Sequence, residues 1–248
     1  MVSIVRFAGT NCEFDMQYVY EKLLHIPSTI IWHKDKALPS GTKLVVLAGG
    51  FSYGDYLRSG AIARFAPIMR AVKEFGERGG RILGICNGFQ ILTEAKLLPG
   101  ALLRNQGLHF ISKTIPLRVA NTDNVFLHSY KKDEIISLPI AHADGRYHID
   151  RSGLERLQEG GQILLRYVEN ENGSVESIAG ICNAEKNIFG LMPHPERACE
   201  ALSLRYIRAH SLRRAGDTPV ESTKDHTSTL TTSATPQGLA MLESIYKA

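Results

Sequence analysis

Two runs in the first hundred residues, Val45-Val46-Leu47-Ala48 and Ile82-Leu83-Gly84-Ile85, carry no polar side chain. A strand with one wet face alternates apolar and polar positions. A strand without alternation is covered on both faces, which is the habit of parallel sheets flanked by helices. Around these runs, strand-like and helix-like stretches take turns. Residues 3–8, 28–33, 44–48 and 81–85 read as strands, 12–24 and 87–96 as helices, and 61–78 as a helical region that Pro67 can break. The rhythm predicts an α/β fold with a mostly parallel central sheet and helices on both faces.

The second half is richer in strand signals, at 110–119, 125–127, 163–168, 177–182 and 187–192, with Asn172-Gly173 as a hairpin-type turn. These predict a mixed extension of the same sheet. Internal repeats are absent, and a single domain over residues 1–248 is expected. Within it, 217–236 stands apart: half of its residues are Ser or Thr and hydrophobic ones are almost missing. That is the composition of a solvated, flexible insertion. Beyond it, Leu239, Leu242 and Ile245 fall on one face of an expected C-terminal helix over 237–248.

Several functional classes are disfavoured. A formal charge of +4 with no Lys/Arg cluster longer than two gives no electrostatic footprint for nucleic acid. No apolar run approaches the roughly 20 residues that cross a bilayer, and the N-terminus lacks the pattern of an export signal. Cys12, Cys86, Cys182 and Cys199 are far apart, with no CxxC pair for zinc or redox chemistry. A reducing, cytoplasmic setting is expected. His109, His128, His142 and His148 show no recognisable ligand spacing, and no metal site is expected. No G-x-x-x-x-G-K-S/T phosphate loop occurs, so ATP is not expected to bind this chain in that way.

Chemistry concentrates in three places. Gly84-Ile85-Cys86-Asn87-Gly88 follows an apolar strand and precedes a helix, in the G-x-nucleophile-x-G form of a nucleophile elbow. A turn that tight crowds its neighbours, so glycine is needed two positions either side, and it pushes the thiol out at the carboxyl end of the sheet. Taken alone, the same residues also fit a small core cysteine between glycines. Met192-Pro193-His194-Pro195-Glu196-Arg197 follows another apolar run. The prolines hold the backbone extended, and residues two apart then point the same way, so Glu196 can orient His194. Alone this is a surface turn; with the elbow it makes a Cys86–His194–Glu196 triad candidate. Gly49-Gly50-Phe51-Ser52-Tyr53-Gly54-Asp55 follows the strand at 44–48; alone it fits equally a glycine-rich loop without chemical purpose, and with the elbow the backbone amides of Gly50 and Asn87 can form a two-donor oxyanion hole.

With these motifs the sequence resembles class I glutamine amidotransferases, most closely those that serve phosphoribosylformylglycinamidine synthase. The class is marked by the elbow from Gly84 to Gln90 and the downstream His194-x-Glu196. The narrower group is marked by Gly9-Thr10-Asn11-Cys12, Gly49 to Asp55, Cys86-Asn87-Gly88-Phe89-Gln90 and Met192 to Ala198. The match covers about residues 1–210 and the final helix. One departure is His142-Ala143-Asp144-Gly145-Arg146, where the family commonly has His-Gly-Glu-Gly-Arg, so a role for Asp144 is left open.

The resemblance implies a flavodoxin-like domain that hydrolyses L-glutamine to glutamate and ammonia through a cysteine thioester. Cys86 would be the nucleophile, His194 the base and Glu196 its orienting partner, with Gly50 and Asn87 at the oxyanion and Phe51 and Gln90 as substrate contacts. It further implies a synthetase subunit that receives the ammonia, a small third subunit, and ATP and Mg on the synthetase, with no cofactor in this chain. Two rivals stay open at this point: a Cys-dependent hydrolase or protease acting alone on the same fold, and a catalytically silent regulatory subunit.

Overall fold

The computed structural model describes residues 1–200 and 236–247. Nine strands form one sheet. Its parallel part is β2 (Ser28–Trp32), β1 (Val2–Arg6), β3 (Leu44–Leu47), β4 (Arg81–Ile85) and β11 (Ile188–Leu191), neighbours in that order. Then β10 (Ile178–Cys182), β9 (Ile163–Tyr167), β6 (Ile111–Val119) and β7 (Ile135–His142) extend it with antiparallel pairing. A separate two-stranded piece pairs β5 (Ala101–Leu103) with β8 (Arg146–His148). The unbroken apolar runs are explained by burial: every residue of β3 and β11 is buried, as is all of β4 after Arg81.

The strand order reverses around β1, whose neighbours are β2 on one side and β3 on the other. Crossovers from β1 to β2 and from β3 to β4 therefore run in opposite directions. Right-handed connections place their helices on opposite faces. α1 (Glu13–Tyr18), continued by a π-helical turn over Val19–Leu23, serves the first crossover; α2 (Ile68–Glu77) serves the second. Pro67 does break the region at 61–78, with a short 3-10 turn at Ala63–Phe65 before it and α2 after it. α3 (Asn87–Glu94) is buried along its whole length.

The second half departs from expectation in two ways. Residues 125–127 form no strand: Asn124 Oδ1 accepts the amides of Phe126 and Leu127 at 2.9 Å each, closing a turn. Four elements went unread, namely β5, β7, β8 and α4 (Arg151–Glu159). α4 is announced by its cap, since the Asp150 side chain accepts from the Gly153 amide at 2.8 Å. Apart from Pro236, the Ser/Thr-rich stretch expected at 217–236 lies outside the described residues. The C-terminal helix is present as α5 (Gln237–Lys247), with Met241, Leu242 and Ile245 buried. No described helix is long and apolar enough to cross a membrane.

Candidate active site

The parallel register aligns three strand ends. Leu47 of β3 faces Gly84 of β4, and Gly190 of β11 faces Gly84 from the other side. The segments leaving β3, β4 and β11 therefore emerge together at the carboxyl edge, beside the reversal at β1, which is where open α/β sheets gather ligands. These are the segments that carry Gly50, Cys86 and His194.

At the elbow, Cys86 adopts φ 50° and ψ −104°, a strained conformation for a residue with a Cβ. Its amide donates to Leu191 O at 2.8 Å, and its carbonyl accepts from the Gln90 amide at 3.1 Å, so the strain is held from both sides. Gly88 is required by close packing: a Cβ there would stand 1.9 Å from Leu47 O. The thiol itself is buried, with the Ala141 carbonyl at 3.7 Å.

His194 is buried, and its amide is tied to Pro139 O at 2.8 Å. Its Nδ1 meets Glu196 Oε1 at 2.6 Å as expected, but not by way of an extended stretch: Pro195–Ala198 is a 3-10 turn with His194 as its N-cap, and the turn brings Glu196 back to the ring. That bond puts the Nδ1 proton toward Glu196. It leaves Nε2, which is buried with no protein partner, as the atom available to a reacting group. Burial disfavours charge on the ring, but Glu196 outweighs it, with Cys86 and Cys12 adding, and the imidazole is held charged well above its usual range.

The oxyanion donors come from interlocked loops. The bridge between Thr10 and Gly50 uses Asn11 N–H to Gly49 O at 3.2 Å and Phe51 N–H to Gly9 O at 2.9 Å. The Gly50 N–H stays outside that ladder. Its φ of 147° and the 2.7 Å approach of Thr10 and Asn11 admit only glycine. The Asn87 amide begins α3, where an N–H has no acceptor in its own helix. The Asn87 side chain ties the elbow to the loop, accepting from Ser52 N at 3.1 Å and donating to Gln90 Oε1 at 2.8 Å.

A cavity of about 340 Å³ opens here, lined by Gly50, Phe51, Asp55, Cys86, Gln90 and Asp144 among others. Phe51 is half-exposed at its mouth. Gln90 lines it too, but its amide is committed at both ends, to Asn87 and, through Nε2, to Asp144 O at 2.6 Å. Gln90 thus shapes the wall. Two larger clefts, of about 760 and 740 Å³, lie elsewhere, and neither contains Cys86 or His194.

Sequence reasoning missed residues that the fold brings in. Cys12, noted only as part of a motif, sits behind the triad with Sγ 4.0 Å from His194 Nδ1 and 3.0 Å from an Arg197 nitrogen. Cys12, His194 and Glu196 offer donor atoms within 4.8 Å of one another, the one such metal-capable group among the described residues; the Arg197 guanidinium lies against the sulfur. Ser59, Arg104 and His142 line the cavity together with Asp55, which the sequence offered only as the end of the Gly49–Asp55 motif; these segments are far apart in sequence, and no local pattern signals their meeting.

The fold and the motifs gathered at its carboxyl edge are those of a glutamine amidotransferase, the class that the comparisons show. The model of the CobB/CobQ-like glutamine amidotransferase domain matches residues 1–221. The phosphoribosylformylglycinamidine synthase subunit PurQ of Wolinella succinogenes is 62% identical over 202 residues, covering 81% of this chain and 92% of that protein. Its counterpart in Helicobacter hepaticus is 62% identical over 199 residues, covering 80% and 89%. The structure of PurLQS from Thermotoga maritima superposes with a TM-score of 0.79 at 37% identity, over 99% of this chain and 97% of that one. The glutaminase domain of Trypanosoma brucei CTPS shares the fold, at a TM-score of 0.54 and 12% identity. The chain belongs to the glutamine amidotransferase family and, within it, to the branch of the PurQ subunits.

Proposed function

We propose that this chain is the glutaminase subunit of a phosphoribosylformylglycinamidine synthase, supplying ammonia for a step of purine biosynthesis. The observation that carries the reading is that Cys86 and the Gly50 loop line one cavity while the Glu196-oriented imidazole of His194 lies close enough to Cys86 to feel its charge. Cys86 attacks the glutamine carboxamide, and the Gly50 and Asn87 amides receive the oxyanion, a contact worth on the order of 3 kcal/mol. His194 Nε2 protonates the departing ammonia, then takes a proton from the water that cleaves the thioester to give glutamate. Phe51 closes the cavity mouth over the substrate.

The ammonia passes to a synthetase subunit, which holds ATP and Mg, in a complex with a small third subunit; this chain needs no cofactor of its own. It works in the cytoplasm as one amidotransferase domain, with the stretch at 217–236 as an insertion ahead of α5. The test is covalent labelling by a glutamine-mimicking electrophile, read by mass spectrometry of the peptides. Label is expected on Cys86 alone. Burial pushes the Cys182 thiol up to about 11, and burial together with Glu196 and Glu200 pushes Cys199 up as well. Dominant label on Cys12, Cys182 or Cys199 contradicts the assignment.

A further inference from the structure

Cys12 and Arg197 have no part in the chemistry above, yet the fold brings them together behind the triad. Cys12 is fully buried at the start of α1. Its amide donates to Gly49 O at 3.2 Å, which ties it to the end of β3. Gly49 is where its sulfur and the imidazole meet: a Cβ there would stand 2.8 Å from His194 Cε1 and 3.2 Å from Cys12 Sγ. The Cys12 thiol donates to Asn11 Oδ1 at 3.1 Å, so the lone pairs of the sulfur are left for other donors. Arg197 takes them, with Nη2 at 3.0 Å.

Where that guanidinium sits decides what Glu196 can do. Glu196 gives Oε1 to His194 Nδ1 at 2.6 Å. Its Oε2 is buried with no hydrogen-bond partner among the described residues. Against burial, Glu196 is the largest influence that keeps the His194 ring charged, with Cys86 and Cys12 adding. Arg197 Nε stands 4.0 Å from Oε1, at the edge of ion-pair range. A guanidinium and a carboxylate ordinarily close to about 2.8 Å and pair through two parallel bonds. This pair stays open, although Arg197 is partly exposed and lines a cavity of about 240 Å³ with Asp15, Glu196 and Glu200, which gives it room to turn.

Building on the glutaminase reading, we propose that Cys12 is a positioning residue: its sulfur holds the Arg197 guanidinium off Glu196 and so reserves that carboxylate for His194. Without the sulfur, Arg197 turns onto Glu196 and engages both oxygens. The imidazole then shares or loses the partner that fixes its tautomer and orientation. Cys12 acts through these two neighbours and touches no reacting atom.

The experiment is a double-mutant cycle in the reconstituted complex, with glutamine-dependent kcat and KM measured for wild type, Cys12→Ala, Arg197→Met and the double variant. Cys12→Ala is expected to lower kcat about 10- to 100-fold and to leave KM within about twofold, as a misplaced catalytic group does. Arg197→Met should stay within about threefold of wild type, because the side chain removed is the competitor for Glu196. The double variant should recover to the level of Arg197→Met, since no guanidinium remains to take the carboxylate. Cys12→Ser, which keeps an acceptor, should hold kcat within about fivefold. Should Cys12→Ala fail to enter the complex, Cys12→Val, which fills the space and accepts nothing, is read in its place. A double variant as impaired as Cys12→Ala overturns the proposal, because a sulfur that only fills space is indifferent to Arg197. Wild-type kcat in Cys12→Ala, or a large loss in Arg197→Met alone, equally overturns it. A wild-type complex that releases no ammonia from glutamine would instead overturn the glutaminase reading, and the proposal with it.

Discussion

Asp55 lines the cavity beside Cys86 in surroundings that disfavour its charge. It is an acid whose value in the folded protein, about 6, lies above its ordinary one, because burial and Asp144 disfavour its charge. Between about 4 and 6 the folded state then binds the extra proton. The stability linked to that proton is complete below the lower value and is lost as pH rises through the upper one. Asp55→Asn is therefore expected to raise Tm by a few degrees at pH 8, on the order of 1–2 kcal/mol after discounting for solvent screening, and by about half as much at pH 5. Asn also tolerates the left-handed φ of 55° found there. A thermal melt at both pH values checks it, and a variant less stable than wild type at pH 8 contradicts it. At this scale the reading from sequence was uneven. Cys86, His194 and Glu196 were legible because each sits next to residues that force its geometry, glycines for the thiol and prolines for the imidazole. Arg104 was not, and neither was the meeting of Asp55 with His142 and Asp144, since it arises only through the folding of segments far apart in sequence.

Among elements, the turn Pro195–Ala198 and helix α5 work as a unit. Gly238 in α5 packs so closely on the turn that an added Cβ would stand 1.9 Å from Pro195 O. Gln237 anchors the start of the helix, accepting from Ser137 N and Tyr130 Oη at 2.6 Å each. The helix thus presses on the backbone that sets Glu196 against His194. Gly238→Ala should displace the turn, lowering kcat for glutamine roughly tenfold or more with little change in KM, because misplacement of a catalytic group acts on the transition state. Overpacking should also cost about 1–3 kcal/mol in a denaturant titration. Unchanged kcat would show that α5 does not position the base. The C-terminal helix itself was legible from its apolar face. β7 was not: Pro139 lies inside it, and such a residue argues against a strand until the strand proves to be at the sheet edge.

For the whole molecule, the topology explains why the parallel half reads so clearly. Strands buried on both faces announce themselves as unbroken apolar runs, and the sites at their carboxyl ends follow from the strand order. The antiparallel half is assembled from pairings such as β6 with β9, whose partners are far apart in sequence, so only the structure reveals them. The division of labour between chains is the central claim, and one measurement tests it most directly. In the reconstituted complex, product formation by Cys86→Ala is followed with glutamine and, separately, with ammonium salt as nitrogen source. Removing the thiol deletes covalent catalysis and leaves the elbow and the rest of the surface in place. The account predicts that glutamine-driven synthesis is abolished while ammonium-driven synthesis persists at the wild-type rate. Loss of both routes in an assembled complex, or survival of the glutamine route, would contradict it.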